Sequence, residues 1–202
     1  MKILLGTKNP GKVNEISKFL KDLEIEIVTL ADLGIKEDIE ENGKTYKENS
    51  QKKALFFSNL TNLPAIGDDG GIEIEALGGA PGMKSRRWLG YEASDEELIK
   101  HLKKVAKNLP KNNRRAKFVD VVSFALPSGQ VWSEEGEVEG EIVENPHLKL
   151  LEGYPFRNFF YLPNIKKFYH ESELDEEEEK IYNHRYKAIA KLKEIIKREL
   201  KI

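Results

Sequence analysis

The chain opens on an apolar run, Met1-Lys2-Ile3-Leu4-Leu5, which the turn Gly6-Thr7-Lys8-Asn9-Pro10-Gly11-Lys12 joins directly to a helical stretch over residues 13–23. A buried strand, a tight turn and a helix N-terminus in that order direct backbone N–H groups and the positive end of the helix dipole at one point. Lys12 adds a full charge there, so the expectation is a phosphate site. The spacing Gly6-x-x-x-x-Gly11-Lys12 is that of a P-loop, but the position of the magnesium-binding hydroxyl holds Val13, which cannot ligate a metal. The grouping Thr7-x-Asn9-x-x-Lys12 is preferred, because hydroxyl, amide and ammonium groups can all donate to phosphate oxygens. The plain alternative is a strand-to-helix turn with an exposed lysine.

Beyond that opening, residues 24–29 alternate polar and apolar and predict a second strand, giving a β-α-β start. Thr45-Tyr46-Lys47-Glu48 has the capping-box pattern of a helix running to about Leu60. Residues 64–71 read as a short apolar entry into an acidic, glycine-rich turn, with a strand following over residues 72–75. Ser94-Asp95-Glu96-Glu97 opens a helix to about Asn108, residues 117–126 form a long central strand, and residues 127–130 turn into strands over 131–136 and 137–143. A short strand over residues 159–162 and an acidic run over 175–180 precede a last helix from His184 to about Leu200. Asn183 would cap that helix, and Ala188, Ile189, Leu192, Ile195 and Ile196 form its apolar stripe. No repeat or linker interrupts the chain, so one α/β domain with a mixed sheet is expected over residues 1–202.

Composition narrows the function. The 33 Lys+Arg nearly balance 35 Asp+Glu, and a net charge of −2 gives no general attraction for nucleic acid or an anionic membrane. Any bound anion therefore needs a local basic site. The absence of cysteine excludes disulfide scaffolds, thiolate metal sites and cysteine nucleophiles, and fits an intracellular compartment. No apolar run approaches the roughly 20 residues of a membrane span, so the chain reads as soluble and cytoplasmic.

Asp68-Asp69 is the best metal candidate, with Glu40, Glu41 or Glu48 able to complete it. Magnesium in nucleotide enzymes is held by one or two carboxylates together with substrate phosphates and waters. Taken alone, Asp68-Asp69 also reads as a helix cap or solvated turn, and Glu40-Glu41 as a solvated loop. Lys52-Lys53, Arg86-Arg87 and His184-Arg185-Lys187 could converge on a triphosphate, or each could face solvent. Trp88, Tyr154, Phe156, Phe159 and Phe160 could stack on a base, although aromatics in apolar surroundings are more often core.

Four motifs in order resemble the inosine triphosphate pyrophosphatase family: Thr7-x-Asn9-x-x-Lys12, Gly43-x-Thr45-Tyr46-x-Glu48-Asn49-x-x-x-Lys53-Ala54, the run from Asp68-Asp69-Gly70-Gly71 to Gly78-Gly79-Ala80-Pro81-Gly82, and His184-Arg185-x-Lys187-Ala188. The resemblance implies an elongated mixed β-sheet with flanking helices, two lobes around a central nucleotide cleft, and a homodimer. It implies Mg2+-dependent hydrolysis of non-standard purine triphosphates such as ITP, dITP and XTP to the monophosphate and pyrophosphate. By that resemblance Thr7, Asn9, Lys12 and Lys53 hold phosphates, Glu41 and Asp69, with Asp68 beside them, bind metal or activate water, and His184 and Arg185 contact the base, with Phe156 a further base candidate. The chain departs from the family at Gly70, where a serine is usual, and at Asn183, also usually serine. It departs again at Gly153-Tyr154-Pro155-Phe156-Arg157-Asn158, where the usual acidic residue has become Arg157 or is missing, and at Glu179, where a lysine is usual. These departures leave two alternatives open: a non-catalytic nucleotide-binding protein, and a pyrophosphatase with altered base preference.

Overall fold

The computed structural model describes residues 1–202. Eight strands and five helices follow the chain as β1 (Lys2–Leu5), α1 (Pro10–Leu20), β2 (Glu26–Thr29), α2 (Tyr46–Thr61), β3 (Ala65–Ile74), β4 (Pro81–Gly82), α3 (Asp95–Asn108), β5 (Arg115–Ala125), β6 (Val131–Ile142), β7 (Phe160–Leu162), β8 (Lys167–Phe168), α4 (Glu176–Tyr182) and α5 (His184–Leu200). The strands form one open sheet in the order β2-β1-β3-β5-β6-β7-β8, with β4 paired to β3. β1 runs parallel to β2 and β3, whereas the β3–β4, β6–β7 and β7–β8 pairs are antiparallel. The expected α/β class with a mixed sheet is therefore the observed one. No helix is long and apolar enough to cross a membrane.

The chain divides into two compact units, Met1–Asp69 with Asp120–Gly136 and His184–Ile202, and Gly70–Val119 with Glu137–Asn183. The first unit has three layers. Ile3, Leu4 and Leu5 of β1 are fully buried because a parallel strand is covered on both faces. Alternation sends Ile3, Leu5 and Ile66 toward Ile16 and Leu20 of α1 and Ala188, Leu192 and Ile196 of α5. It sends Leu4 and Ala65 the other way, onto Phe57 of α2 and Leu30. α1 and α5 also meet edge to face through Phe19 and Tyr186, whose ring centroids lie 5.2 Å apart.

The second unit has its own core. α3 starts with the predicted capping box, Ser94 with Glu97, and buries Leu98, Leu102 and Ala106 against Phe118, Val138, Phe156, Phe159, Phe160 and Tyr169. Phe159 and Phe160 are completely buried core residues rather than exposed stacking surfaces. Arg157 lies between the rings of Tyr154 and Tyr169, 4.0 and 4.3 Å from their centroids, and is itself buried.

Three elements differ from the sequence expectation. The segment expected to be an acidic turn is the interior of β3, a single strand of 10 residues. Its glycines serve close approach rather than turning: a Cβ on Gly67 would lie 2.6 Å from the Ala54 nitrogen and the Ser50 oxygen of α2, and one on Gly71 would lie 2.1 Å from the Gly82 oxygen. The two strands expected over residues 131–143 are one, β6, with Gly136 inside it. The acidic run is helix α4, because Asp175 caps it with Glu178 in a capping box and the first-turn carboxylates lie at the positive end of the dipole. Asn183 closes α4 at its C-terminal end in an extended conformation, its amide donating to the Glu179 carbonyl at 2.8 Å.

Since β3 and α2 touch backbone to backbone, Gly67→Ala should destabilise the protein by about 2 kcal/mol or more in urea unfolding. The surface glycine Gly34, which meets no atom within 4 Å, should show no steric penalty of that kind on the same substitution, only that of its positive φ.

Candidate active site

The turn after β1 is tied to the sheet by a hydrogen bond from the Gly6 amide to the Ile66 carbonyl (2.7 Å). Asn9 then caps α1, its Oδ1 accepting from the Gly11 and Lys12 amides at 2.9 and 3.3 Å, with Pro10 in the first turn. Those two amides are satisfied within the chain. Of the helix-terminal amides that the sequence suggested, these two are therefore already bonded, and Lys12 brings a side-chain charge to the same turn. Thr7 and Asn9 lie in that turn, with the Asn9 amide donating to Thr7 Oγ1 at 3.3 Å.

β3 carries Asp68 and Asp69 on opposite faces, as strand alternation requires. Asp68, with Ile66, faces the α1–α5 layer and has no solvent exposure of its side chain. Its Oδ2 accepts from Lys12 Nζ at 3.0 Å and from Arg185 Nε at 3.3 Å. Asp69, with Gly67, faces α2, where its Oδ2 accepts from Asn49 Nδ2 at 2.9 Å. Asn49 is doubly used: its Oδ1 accepts the Gly43 amide at 2.7 Å, which ties the loop before α2 to the strand. The close contact at Gly67 brings Lys53 of α2 over the strand, where its Nζ donates to the Asp68 carbonyl at 2.9 Å and pairs with Glu41. Glu41 is thus drawn out of the loop onto a lysine, not left solvated.

Arg185 stands in the first turn of α5 with its side chain 4% exposed. Its Nε lies 3.2 Å from Asp120 Oδ2 as well as on Asp68, Nη2 donates to Asp120 Oδ1 at 3.4 Å, and Nη1 pairs with Glu15 of α1. One guanidinium thus serves three carboxylates. His184 beside it is buried, and its carbonyl lies where a Cβ on Gly136 would sit. Phe156 is buried in the core of the second unit, 5.9 Å from Trp88 between ring centroids. Lys52, the neighbour of Lys53, donates to the Glu40 carbonyl and to Asn42 Oδ1. Arg86 pairs with Asp95 at the surface.

The charges perturb one another. Burial opposes ionisation of Asp68, but Lys12, Arg185 and Lys53 overcome it and hold its carboxyl well below the usual carboxylate range. Burial raises the pKa of Asp69, and Glu41 adds to that, against Lys53, Lys12 and Asn49. Burial pulls Lys53 down, yet Asp68, Glu41 and Asp69 together raise it, so it stays an ammonium. Asp120, buried at the centre of β5, is pushed up to about 7, chiefly by desolvation, with Asp68 adding to the rise and Arg185 opposing it.

Five carboxylates, on Glu15, Glu41, Asp68, Asp69 and Asp120, therefore meet three cations, on Lys12, Lys53 and Arg185. The buried Asp68 Oδ1 has no hydrogen-bond partner. An oxygen-rich site with surplus negative charge suits a hard divalent cation. No group of three or more His, Asp or Glu side chains forms a ready-made cage, so such a cation would draw further ligands from a substrate.

Sequence reading missed Asp120 and Glu15 as members of this cluster, and quoted Asn49 only within a motif, with no role. Asp120 had a visible signal, an aspartate between Val119 and Val121 in an otherwise apolar strand. Glu15, on an amphipathic helix, had none.

The pKa of Asp120 rises on folding, so the folded state holds its proton more tightly and stability falls as pH climbs from about 4 to about 7. Asp68 acts with the opposite sign, contributing stability above the ordinary carboxylate pKa that is lost on acidification below it. Asp120→Asn should therefore gain stability relative to the parent between pH 4.5 and pH 8, read by urea unfolding at each pH.

Comparison with known proteins identifies the family. The profile of the Ham1 family matches residues 3–195. A dITP/XTP pyrophosphatase of Thermus thermophilus is 40% identical over 98% of this chain and 92% of its own length. One of Thermoanaerobacter pseudethanolicus is 38% identical over 99% and 98%. The solved structure of a HAM1 protein from Coxiella burnetii superposes with a TM-score of 0.81 at 32% identity, covering 98% of this chain and 99% of that one. With the family profile spanning nearly the whole sequence and the fold matching a solved member, the chain belongs to the Ham1 family.

Proposed function

We propose that this protein hydrolyses non-standard purine nucleoside triphosphates, dITP, XTP and ITP, to the monophosphate and pyrophosphate, and so removes them from the nucleotide pool. The observation that carries the reading is the meeting of Lys12, Lys53, Asp68 and Asp69 at one corner of the first unit. It is supported by relatives named dITP/XTP pyrophosphatase along nearly the full length of the chain. Water adds across the anhydride between the α and β phosphates: a P–O bond forms to water, the bridging P–O bond breaks, and one proton is lost from the water. Charge grows on the bridging oxygen and the departing pyrophosphate, and ammonium groups there stabilise it.

We assign the phosphate contacts to Thr7, Asn9, Lys12 and Lys53. Asp69 is the group for accepting the proton of the attacking water, because burial raises its basicity and Asn49 fixes its orientation. Magnesium, held on Asp69 and Glu41 with substrate phosphates completing its oxygen shell, would supply charge neutralisation on the polyphosphate. Asp68 and Arg185 we place in the charge network that holds Lys12, since Arg185 already donates to three carboxylates. For His184 and Phe156 a base contact rests on the family resemblance alone. The single-domain organisation of residues 1–202, the homodimer and the cytoplasmic location belong to the same proposal.

A panel of dITP, XTP, ITP, dGTP and ATP tests it with the purified protein and Mg2+. Pyrophosphate and a monophosphate should appear from the first three, and Lys12→Ala and Asp69→Asn should each lower kcat/KM by about 100-fold or more. Orthophosphate as the product, or no turnover with any of the five, would overturn the reading. The ranking within the panel also measures what Arg157, enclosed by two tyrosines, does to base preference.

A further inference from the structure

We propose that Asp120 is a positioning residue that sets how readily Lys12 leaves Asp68 for a bound phosphate, acting through Arg185. The inference rests on the reading of Lys12 as a phosphate ligand. At rest the ammonium of Lys12 is not available to a ligand: it sits 3.0 Å from Asp68 Oδ2. That oxygen has a second cation, Arg185 Nε at 3.3 Å, and the same Nε lies 3.2 Å from Asp120 Oδ2. Asp120 takes a further bond from Nη2 at 3.4 Å, and Glu15 takes Nη1. Asp68 and Asp120 thus draw on one guanidinium, Nε donating to Asp68 and Nη2 to Asp120, while Lys12 supplies the balance.

When a phosphate draws Lys12 away, Arg185 is the one cation still bonded to the buried Asp68 carboxylate, with Lys53 acting on it only from the backbone side. An uncompensated buried carboxylate is costly, so its share of Arg185 decides how hard Lys12 is to remove. Asp120, fully buried in the middle of β5, weakens the share by holding Arg185 on its other side. Asp120 therefore keeps Lys12 on Asp68 in the absence of ligand. Replacing its charge by an amide removes that pull, leaves more of the Arg185 charge to Asp68 and releases Lys12 at lower cost. A packing role for Asp120 would give the opposite sign, because disturbing the strand would misplace Asp68 and weaken binding.

Titration calorimetry with inorganic pyrophosphate and Mg2+ separates these outcomes without requiring turnover. Asp120→Asn should tighten pyrophosphate binding about three- to tenfold, and Lys12→Ala should weaken it by at least as much. Glu15→Gln, which removes another carboxylate from Arg185 at a partly exposed site, should also tighten binding and serves if Asp120→Asn does not fold. If the parent protein does not bind pyrophosphate, or Lys12→Ala binds it equally well, the site reading itself fails. If Lys12→Ala weakens binding while Asp120→Asn, or Glu15→Gln in its place, leaves it unchanged or weaker, the role of Asp120 alone is overturned.

Discussion

A carboxylate with no solvent exposure must be matched by positive charge, and the first unit is organised around meeting that demand at Asp68. The side chain faces the α1–α5 layer, so its countercharges come from those two helices: Lys12 from the first turn of one and Arg185 from the first turn of the other. Each cation in turn needs more than Asp68 can offer. Arg185 spreads to Asp120 and Glu15, and the result is a buried network whose members come from α1, β3, β5 and α5. Such a network adds little stability compared with an apolar core, but removing one of its cations leaves a buried carboxylate unmatched. The network fixes the position of Lys12 beside Asp68, in the first turn of α1.

The opposite face of β3 solves a different problem. Gly67 lets α2 approach until backbone meets backbone, and that contact delivers Lys53 to the Asp68 carbonyl and Asn49 to Asp69. A side chain at residue 67 would push α2 away and undo both. Asn49 also anchors the Gly43 amide, so the loop carrying Glu41 follows α2 into place and Glu41 reaches Lys53. Two adjacent aspartates thus serve two layers, one as a fixed countercharge and one as a basic carboxylate, because a strand turns successive side chains to opposite faces.

Much of the fold was legible from period and caps. The apolar run of β1, the capping box of α3 and the stripe of α5 each read directly, because burial on one side imposes its period on the sequence. The acidic glycine-rich stretch did not: Gly67, Gly70 and Gly71 have the composition of a turn, yet they lie in the long strand β3, where close packing of α2 on Gly67 and β4 on Gly71 leaves no room for a Cβ. The strand–turn–helix opening was legible in the chain, but the turn read as a set of open helix-terminal amides. Asn9 closes two of them, a contact that the local pattern did not show.

Sequence alone determined the α/β class, the strand–turn–helix opening and the residue types able to hold a polyphosphate, since each of these depends on neighbours close in the chain. Tertiary structure alone decided which of those residues meet. Lys12 and Arg185 converge on Asp68 from helices that are far apart in sequence, and Asp120 joins them from a strand more than fifty residues beyond Asp68. No local pattern encodes such a meeting, because charge pairing acts through space, and the sheet order that places β3 beside β5 is set by the packing of the whole unit.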